Sequence, residues 1–135
     1  MAQQAPPLTS TNSLLRIVLV EDNDYVRELS VCLFENPDRA VSAFATGEEA
    51  LEAFMDQPFD VVITDVSLPK ISGIDLAKRI LKIAPDTWLI IASGYKLPAG
   101  LDQLGPNVRI MTKPFEADQV EALLAEVKQS RSAAL

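Results

Sequence analysis

Phe59-Asp60-Val61-Val62-Ile63-Thr64-Asp65-Val66-Ser67-Leu68-Pro69-Lys70-Ile71-Ser72-Gly73 is the stretch whose reading decides the fold. Val61 to Thr64 is a short, mostly apolar run that ends on Asp65, and a loop with Pro69 and Gly73 follows. Such a run, bounded by turn residues, suits a strand covered on both faces. A carboxylate at the carboxyl end of such a strand stands where open α/β sheets place their chemistry. Asp65 could equally cap a turn. On this stretch alone the two readings are balanced.

Upstream, Leu15 to Val20 is a first strand, followed by Glu21-Asp22-Asn23-Asp24. Asn23 or Asp24 can cap a helix from about Tyr25 to Glu35, with Val26, Leu29, Leu33 and Phe34 at helical spacing. Asn36-Pro37 stops it. Arg39 to Ala45 alternates and is less apolar, the pattern of an edge strand. Thr46 as N-cap and Glu49 in the capping-box position open a second helix, whose buried face is Ala50, Leu51 and Phe54.

Downstream of the central stretch, Ile74 to Ile83 is a helix and Trp88 to Ala92 a strand that stops at Ser93-Gly94. From Tyr95 to Asn107, the residues Pro98, Gly100, Gly105 and Pro106 leave room only for a short helix near Leu101 to Leu104. Val108 to Thr112 is a fifth strand, closed by Lys113-Pro114-Phe115, and Glu116 to Lys128 is the last helix. Residues 1–13 read as a flexible tail and 129–135 as a short frayed one, leaving 14–128 as a single domain. Five strands alternating with helices imply a doubly wound parallel sheet with helices on both faces.

Composition narrows the function. The net charge of −7 argues against a general affinity for nucleic acid or anionic membrane. No apolar run approaches the roughly 18 residues of a membrane span. The first residues lack a signal peptide's basic patch and apolar core, so a reducing cytoplasm is expected. Cys32 is alone, which excludes an intrachain disulfide; it reads as a small core residue beside Leu29 and Leu33. The chain has no histidine, so imidazole triads, histidine metal sites and phosphohistidine within this polypeptide are excluded. Any chemistry must use carboxylates, lysine and hydroxyls.

Four of the five strands end in polar residues: Glu21-Asp22, Asp65, Ser93 and Lys113. In a parallel sheet these ends share one edge, so the side chains converge. Each alone has an ordinary reading, as a solvated helix start, a turn or a surface lysine. Their joint placement makes the ordinary account improbable. Three carboxylates in one crevice repel, so either one takes up a proton or a cation neutralises the cluster. Oxygen ligands without His or Cys suit Mg²⁺. A lysine and a hydroxyl add donors for anionic oxygens. The set describes phosphoryl transfer with Asp65 as nucleophile.

With these residues in place, residues Leu14 to Lys128 resemble the receiver domain of two-component response regulators. The marks are Glu21-Asp22, the run from Asp65 through Pro69 to Gly73, Ser93-Gly94 and Lys113-Pro114-Phe115. The resemblance implies a flavodoxin-like strand order 2-1-3-4-5 and a phosphoacceptor at Asp65. It implies Mg²⁺ held by Asp22, Asp65 and the Ser67 carbonyl, with Glu21 acting through water. Ser93 and Lys113 would contact the phosphoryl oxygens, and the Lys113-Pro114 peptide would be cis. The donor would be a phosphohistidine on a histidine kinase or histidine phosphotransfer protein.

Receivers often carry an aromatic switch residue three positions before the lysine, where this chain has Ile110. Tyr95 is the nearest aromatic that could substitute, and the alternative reading is that it shapes access to the site. Ser67 and Tyr95 flank the region where such domains tune the lifetime of the phosphoryl group. The segment after Tyr95 is expected to change on phosphorylation.

The expected function is a single-domain response regulator that signals through protein contacts, a switch more than a turnover enzyme. A receiver excised from a hybrid histidine kinase and a phosphorylation-independent pseudo-receiver are the alternatives, and homodimerisation stays open. A haloacid-type phosphatase needs a second aspartate where Ser67 stands, and Glu21-Asp22 would repel the phosphate of FMN in a flavodoxin.

Overall fold

The computed structural model describes residues 14–134. The expected tail at residues 1–13 and Leu135 lie outside the described residues. Five strands, β1 (Leu15–Val20), β2 (Arg39–Phe44), β3 (Val61–Asp65), β4 (Trp88–Ser93) and β5 (Val108–Thr112), form one parallel sheet in the order β2-β1-β3-β4-β5. The helices are α1 (Asp24–Phe34), α2 (Gly47–Asp56), α3 (Gly73–Ile83) and α4 (Ala117–Ala134). The fold is the doubly wound one expected from the alternation, with β2 at the edge.

Side chains alternate between the two faces along each strand. Leu15, Ile17 and Leu19 of β1 join Val61 and Ile63 of β3 under α1 and α4, against Phe34, Val120 and Leu124. Val18, Val20 and Val62 point the other way, against Ala50, Phe54, Leu76 and Ile80 of α2 and α3. β1, β3 and β4 are therefore apolar on both faces, which is why their sequences read as continuous runs.

The register brings the strand ends level. Val20 pairs with Thr64, Asp65 with Ala92, and Ser93 with Thr112. The positions immediately after β1 and β5 and the last residues of β3 and β4 thus meet along one edge.

Local chemistry sets the element boundaries. Asn23 caps α1 through its side-chain oxygen, which accepts from Val26 N. Thr46 Oγ1 accepts from Glu49 N and donates to the Glu49 carboxylate, both at 3.2 Å. The capping pair is as expected, although Glu49 returns to the hydroxyl. Ser72 caps α3 by accepting from Asp75 N.

The expectations for Cys32, for Leu29 and for the end of the last helix need correction. Cys32 is exposed, and Leu29 is 53% exposed. α1 faces the sheet along the line Val26, Ser30 and Phe34, with Ser30 and Phe34 buried. Apolar spacing revealed a stripe but not its rotation on the sheet. α4 continues to Ala134 rather than ending at Lys128. Gln129 to Ala134 contains no Gly or Pro, and Lys128 and Arg131 tie this end to Asp38 and Asp60 at 2.5 and 3.7 Å. Between β4 and β5 the described helix is a single 3₁₀ turn, Leu101–Gln103, entered through Gly100 at φ 95°.

Candidate functional site

The carboxyl edge of the sheet gathers the side chains singled out in the sequence. Glu21, Asp22 and Asp65 each offer a carboxylate oxygen, all within 4.8 Å of one another. Glu21 is buried, Asp65 half-buried and Asp22 exposed. This gradient follows from position: Glu21 continues the level of β1, whereas Asp22 lies beyond it. Glu21 N donates to Phe44 O at 3.0 Å, and Glu21 Oε2 accepts from Asn23 N.

Lys113 enters from β5. Its backbone N–H donates to Ser93 O at 2.8 Å, and its Nζ lies 2.7 Å from Glu21 Oε1 and 3.4 Å from Asp65 Oδ2. Partial burial alone would pull the ammonium's pKa down. The hydrogen bond to Glu21 and the charges of Asp65 and Glu21 outweigh it and hold the group above the usual lysine value. The Lys113-Pro114 peptide is cis, as the resemblance implied.

Ser93 is buried at the end of β4. Its Oγ donates to Tyr95 O at 2.7 Å and accepts from Tyr95 N at 3.1 Å. Ser67, exposed two residues after Asp65, meets the Tyr95 hydroxyl at 3.2 Å. Ile110 is 40% exposed on β5 and flanks a recess shared with Ser93 and Tyr95. The edge therefore combines an acidic cluster, one ammonium and a set of hydroxyls, the donors and acceptors that phosphoryl chemistry requires.

Some contributors escaped the sequence reading. Gly73 was read as a turn residue and as the end of the run that carries the resemblance, without a structural reason for a glycine there. A Cβ there would lie 1.9 Å from Asp65 O, and Gly73 N donates to Val66 O at 2.9 Å. The loop after β3 thus folds tightly back onto the strand end. Glu48 accepts from Ile71 N and holds the same loop to α2. Arg27 donates to Glu21 O at 2.8 Å and to Asp24 at 2.6 Å. The Gly73 signal was visible, a glycine just after the Ser72 cap, but its reason is a contact that only the fold supplies.

Residues 17–125 match the family model for the response regulator receiver domain. The chain is 30% identical over 115 residues to the response regulator receiver protein CpdR of Brucella abortus, covering 81% of this chain and 96% of CpdR. It is 29% identical over 127 residues to the sensor kinase CckA of the same organism, covering 91% of this chain but only 13% of CckA. A solved response regulator receiver domain protein from Clostridium thermocellum superposes with a TM-score of 0.77 at 25% identity, covering 90% of this chain and all of that one. A match over most of the sheet and its acid-bearing edge is decisive: the chain belongs to the response regulator receiver domain family, the phosphoacceptor switches of two-component signal transduction.

Proposed function

We propose that Asp65 accepts a phosphoryl group from the phosphohistidine of a partner, a histidine kinase or histidine phosphotransfer protein. One observation carries this assignment: Asp65 ends the central strand among two further carboxylates, with an ammonium 3.4 Å away. In the transfer, an Asp65 oxygen bonds to phosphorus as the phosphorus–nitrogen bond breaks. The leaving imidazole stays on the partner. Lys113 offers its charge to a phosphoryl oxygen, and Ser93 its hydroxyl proton to another. Glu21, by holding Lys113, keeps that charge at the edge.

The all-oxygen donor set fits a hard divalent ion. Glu21, Asp22, Asp65 and the Ser67 carbonyl are the groups that would hold Mg²⁺. When bound, the ion supplies charge neutralisation for the phosphoryl oxygens. The phosphoacceptor unit is residues 14–128, acting as a cytoplasmic switch whose output is contact with a protein target. No described helix is long and apolar enough to cross a membrane. The match to a short part of CckA favours, as a second reading, a receiver that works within a hybrid kinase.

The test is intact mass after incubation with Mg²⁺ and acetyl phosphate. A single phosphoryl adduct is expected, absent in Asp65→Asn and in EDTA. An adduct that persists in Asp65→Asn would refute the acceptor assignment. Failure of the wild type to take up either acetyl phosphate or beryllofluoride would favour a pseudo-receiver.

A further inference from the structure

The loop from Val66 to Ser72 carries the Ser67 carbonyl, and main-chain bonds fix both of its ends. Val66 N donates to Ala92 O at 3.1 Å, and Gly73 N closes the loop on Val66 O at 2.9 Å. Between them stands Lys70, at φ 63° the one described non-glycine residue with a left-handed backbone. That conformation is unfavourable for a residue with a Cβ, and lysine lacks the short polar side chain with which Asn or Asp bonds its own backbone there. Such a turn persists only where its surroundings hold it.

The start of α2 supplies the hold. Glu48 Oε2 accepts from Ile71 N, the amide that follows Lys70, at 3.2 Å. Next to Glu48, Gly47 admits the Ile71 side chain so closely that a Cβ would lie 2.8 Å from Ile71 Cγ1. The other oxygen, Glu48 Oε1, is buried without a hydrogen-bond partner. A carboxylate satisfied on one side only is a poor device for stability alone, because the unpaired oxygen carries a desolvation cost. Its single bond goes to the strained peptide of the loop that borders Asp65.

We propose that Glu48 is a positioning residue for the metal site, an inference that rests on the Mg²⁺ set proposed around Asp65. Glu48 is not one of the three clustered carboxylates; it acts through the backbone of the loop. By holding the Lys70–Ile71 peptide in its left-handed turn, it keeps the Ser67 carbonyl at the edge of the sheet. Without that bond the turn relaxes, and only a fraction of the molecules present the carbonyl correctly. The apparent affinity for the ion falls by that fraction.

The test compares the full chain as wild type, Glu48→Ala, Glu48→Gln, Lys70→Gly and the Glu48→Ala/Lys70→Gly double variant. In the Mg²⁺-free proteins, amide hydrogen exchange at Ile71 should be about 3- to 10-fold faster in Glu48→Ala, the range of one partly exposed hydrogen bond. Calorimetric titration should show Mg²⁺ bound more weakly by a similar factor, about 3- to 10-fold. Glu48→Gln keeps an acceptor for Ile71 N and should bind Mg²⁺ like the wild type. Glycine adopts the left-handed turn without the Cβ penalty, so in the Lys70→Gly background Glu48→Ala should weaken binding by less than about twofold. Phosphorylation of Glu48→Ala by acetyl phosphate should need more Mg²⁺ for its half-maximal rate and reach the wild-type rate at saturation. Wild-type Mg²⁺ affinity in Glu48→Ala overturns the inference and leaves Asp65 as phosphoacceptor. A loss that Glu48→Gln shares, or one of equal size with and without Lys70→Gly, also overturns it. A wild type that binds no Mg²⁺ removes the proposed metal set, and this inference with it.

Discussion

Lys113 Nζ lies closer to Glu21 than to Asp65, 2.7 against 3.4 Å. The ammonium therefore sits between two carboxylates of the acidic cluster and offsets part of its charge. A bound cation would have to share that field. Lys113→Met removes a unit positive charge a few ångströms from the proposed Mg²⁺ ligands. It should raise Mg²⁺ affinity by about tenfold, the scale of one partly screened charge at this range. The same variant should accept phosphate more slowly, because the phosphoryl oxygens lose their cationic partner. Calorimetric titration with Mg²⁺ checks the first statement; unchanged or weaker binding would show that Lys113 does not oppose the ion.

Gly73 stands where the β3–α3 loop returns to Asp65. A Cβ would meet the Asp65 carbonyl oxygen at 1.9 Å and the Val66 Cα at 3.0 Å. These are backbone atoms, so no side chain can move aside. Gly73→Ala should cost about 3 kcal/mol, the upper part of the range for an overpacked site. It should also displace Asp65 and slow its phosphorylation. Gly94→Ala is the contrast, since its Cβ enters open space, and its stability should change by less than about 0.5 kcal/mol. Urea denaturation of the two variants separates them; equal losses would contradict the contact.

The strand ends were legible because each is a short apolar run followed at once by a polar residue. Parallel topology does the rest: once β1, β3, β4 and β5 share a direction, Glu21, Asp65, Ser93 and Lys113 must share an edge. What could not be read are contacts between segments whose relative positions depend on the finished fold. Tyr95 was singled out as an aromatic near the site, yet its hydroxyl pair with Ser67 joins two loops 28 residues apart. Cys32 and Leu29 were misplaced because apolar periodicity gives a helix a stripe without fixing its rotation, and the small polar Ser30 took the line facing the sheet. Residues Gln129 to Ala134 read as frayed because their side chains make no apolar stripe. The helix persists there without a helix breaker and with Lys128 and Arg131 tied to acidic residues at the opposite edge.

Two ion pairs on α4 look alike in sequence but differ in burial. The difference lies in the arginines: the Arg39 side chain is 4% exposed, although Glu121 is 60% exposed, and it meets both carboxylate oxygens of Glu121, at 2.8 and 3.1 Å. Its Nε and Nη1 have no hydrogen-bond partner. Glu121→Ala leaves that guanidinium buried with less compensation and should cost about 2 kcal/mol. Arg109 and Glu126 are 38% and 48% exposed, so Glu126→Ala should cost less than about 0.5 kcal/mol. Thermal denaturation of the two variants gives the ranking, and a larger loss in Glu126→Ala would reverse it.

The contact between Lys128 and Asp38, at 2.5 Å, joins the later part of α4 to the turn before β2. The Lys128 hydrogen bond is the main cause that lowers the Asp38 pKa below its ordinary 3.8; burial opposes it, and the charges of Lys128 and Arg39 add to the lowering. A carboxylate whose folded pKa is depressed stabilises the fold fully above its unfolded value. The contribution disappears as pH falls through the folded value. Lys128→Met removes the hydrogen bond and returns Asp38 towards its ordinary behaviour. The variant should therefore melt below the wild type at pH 7, and the gap should narrow as pH falls below 3.8. The pair is exposed, so the gap at neutral pH should be small, and salt should reduce it further. Melting curves at neutral and acid pH, at low and high salt, decide the point: a gap that widens in acid would mean that Lys128 stabilises α4 by some route other than the Asp38 carboxylate.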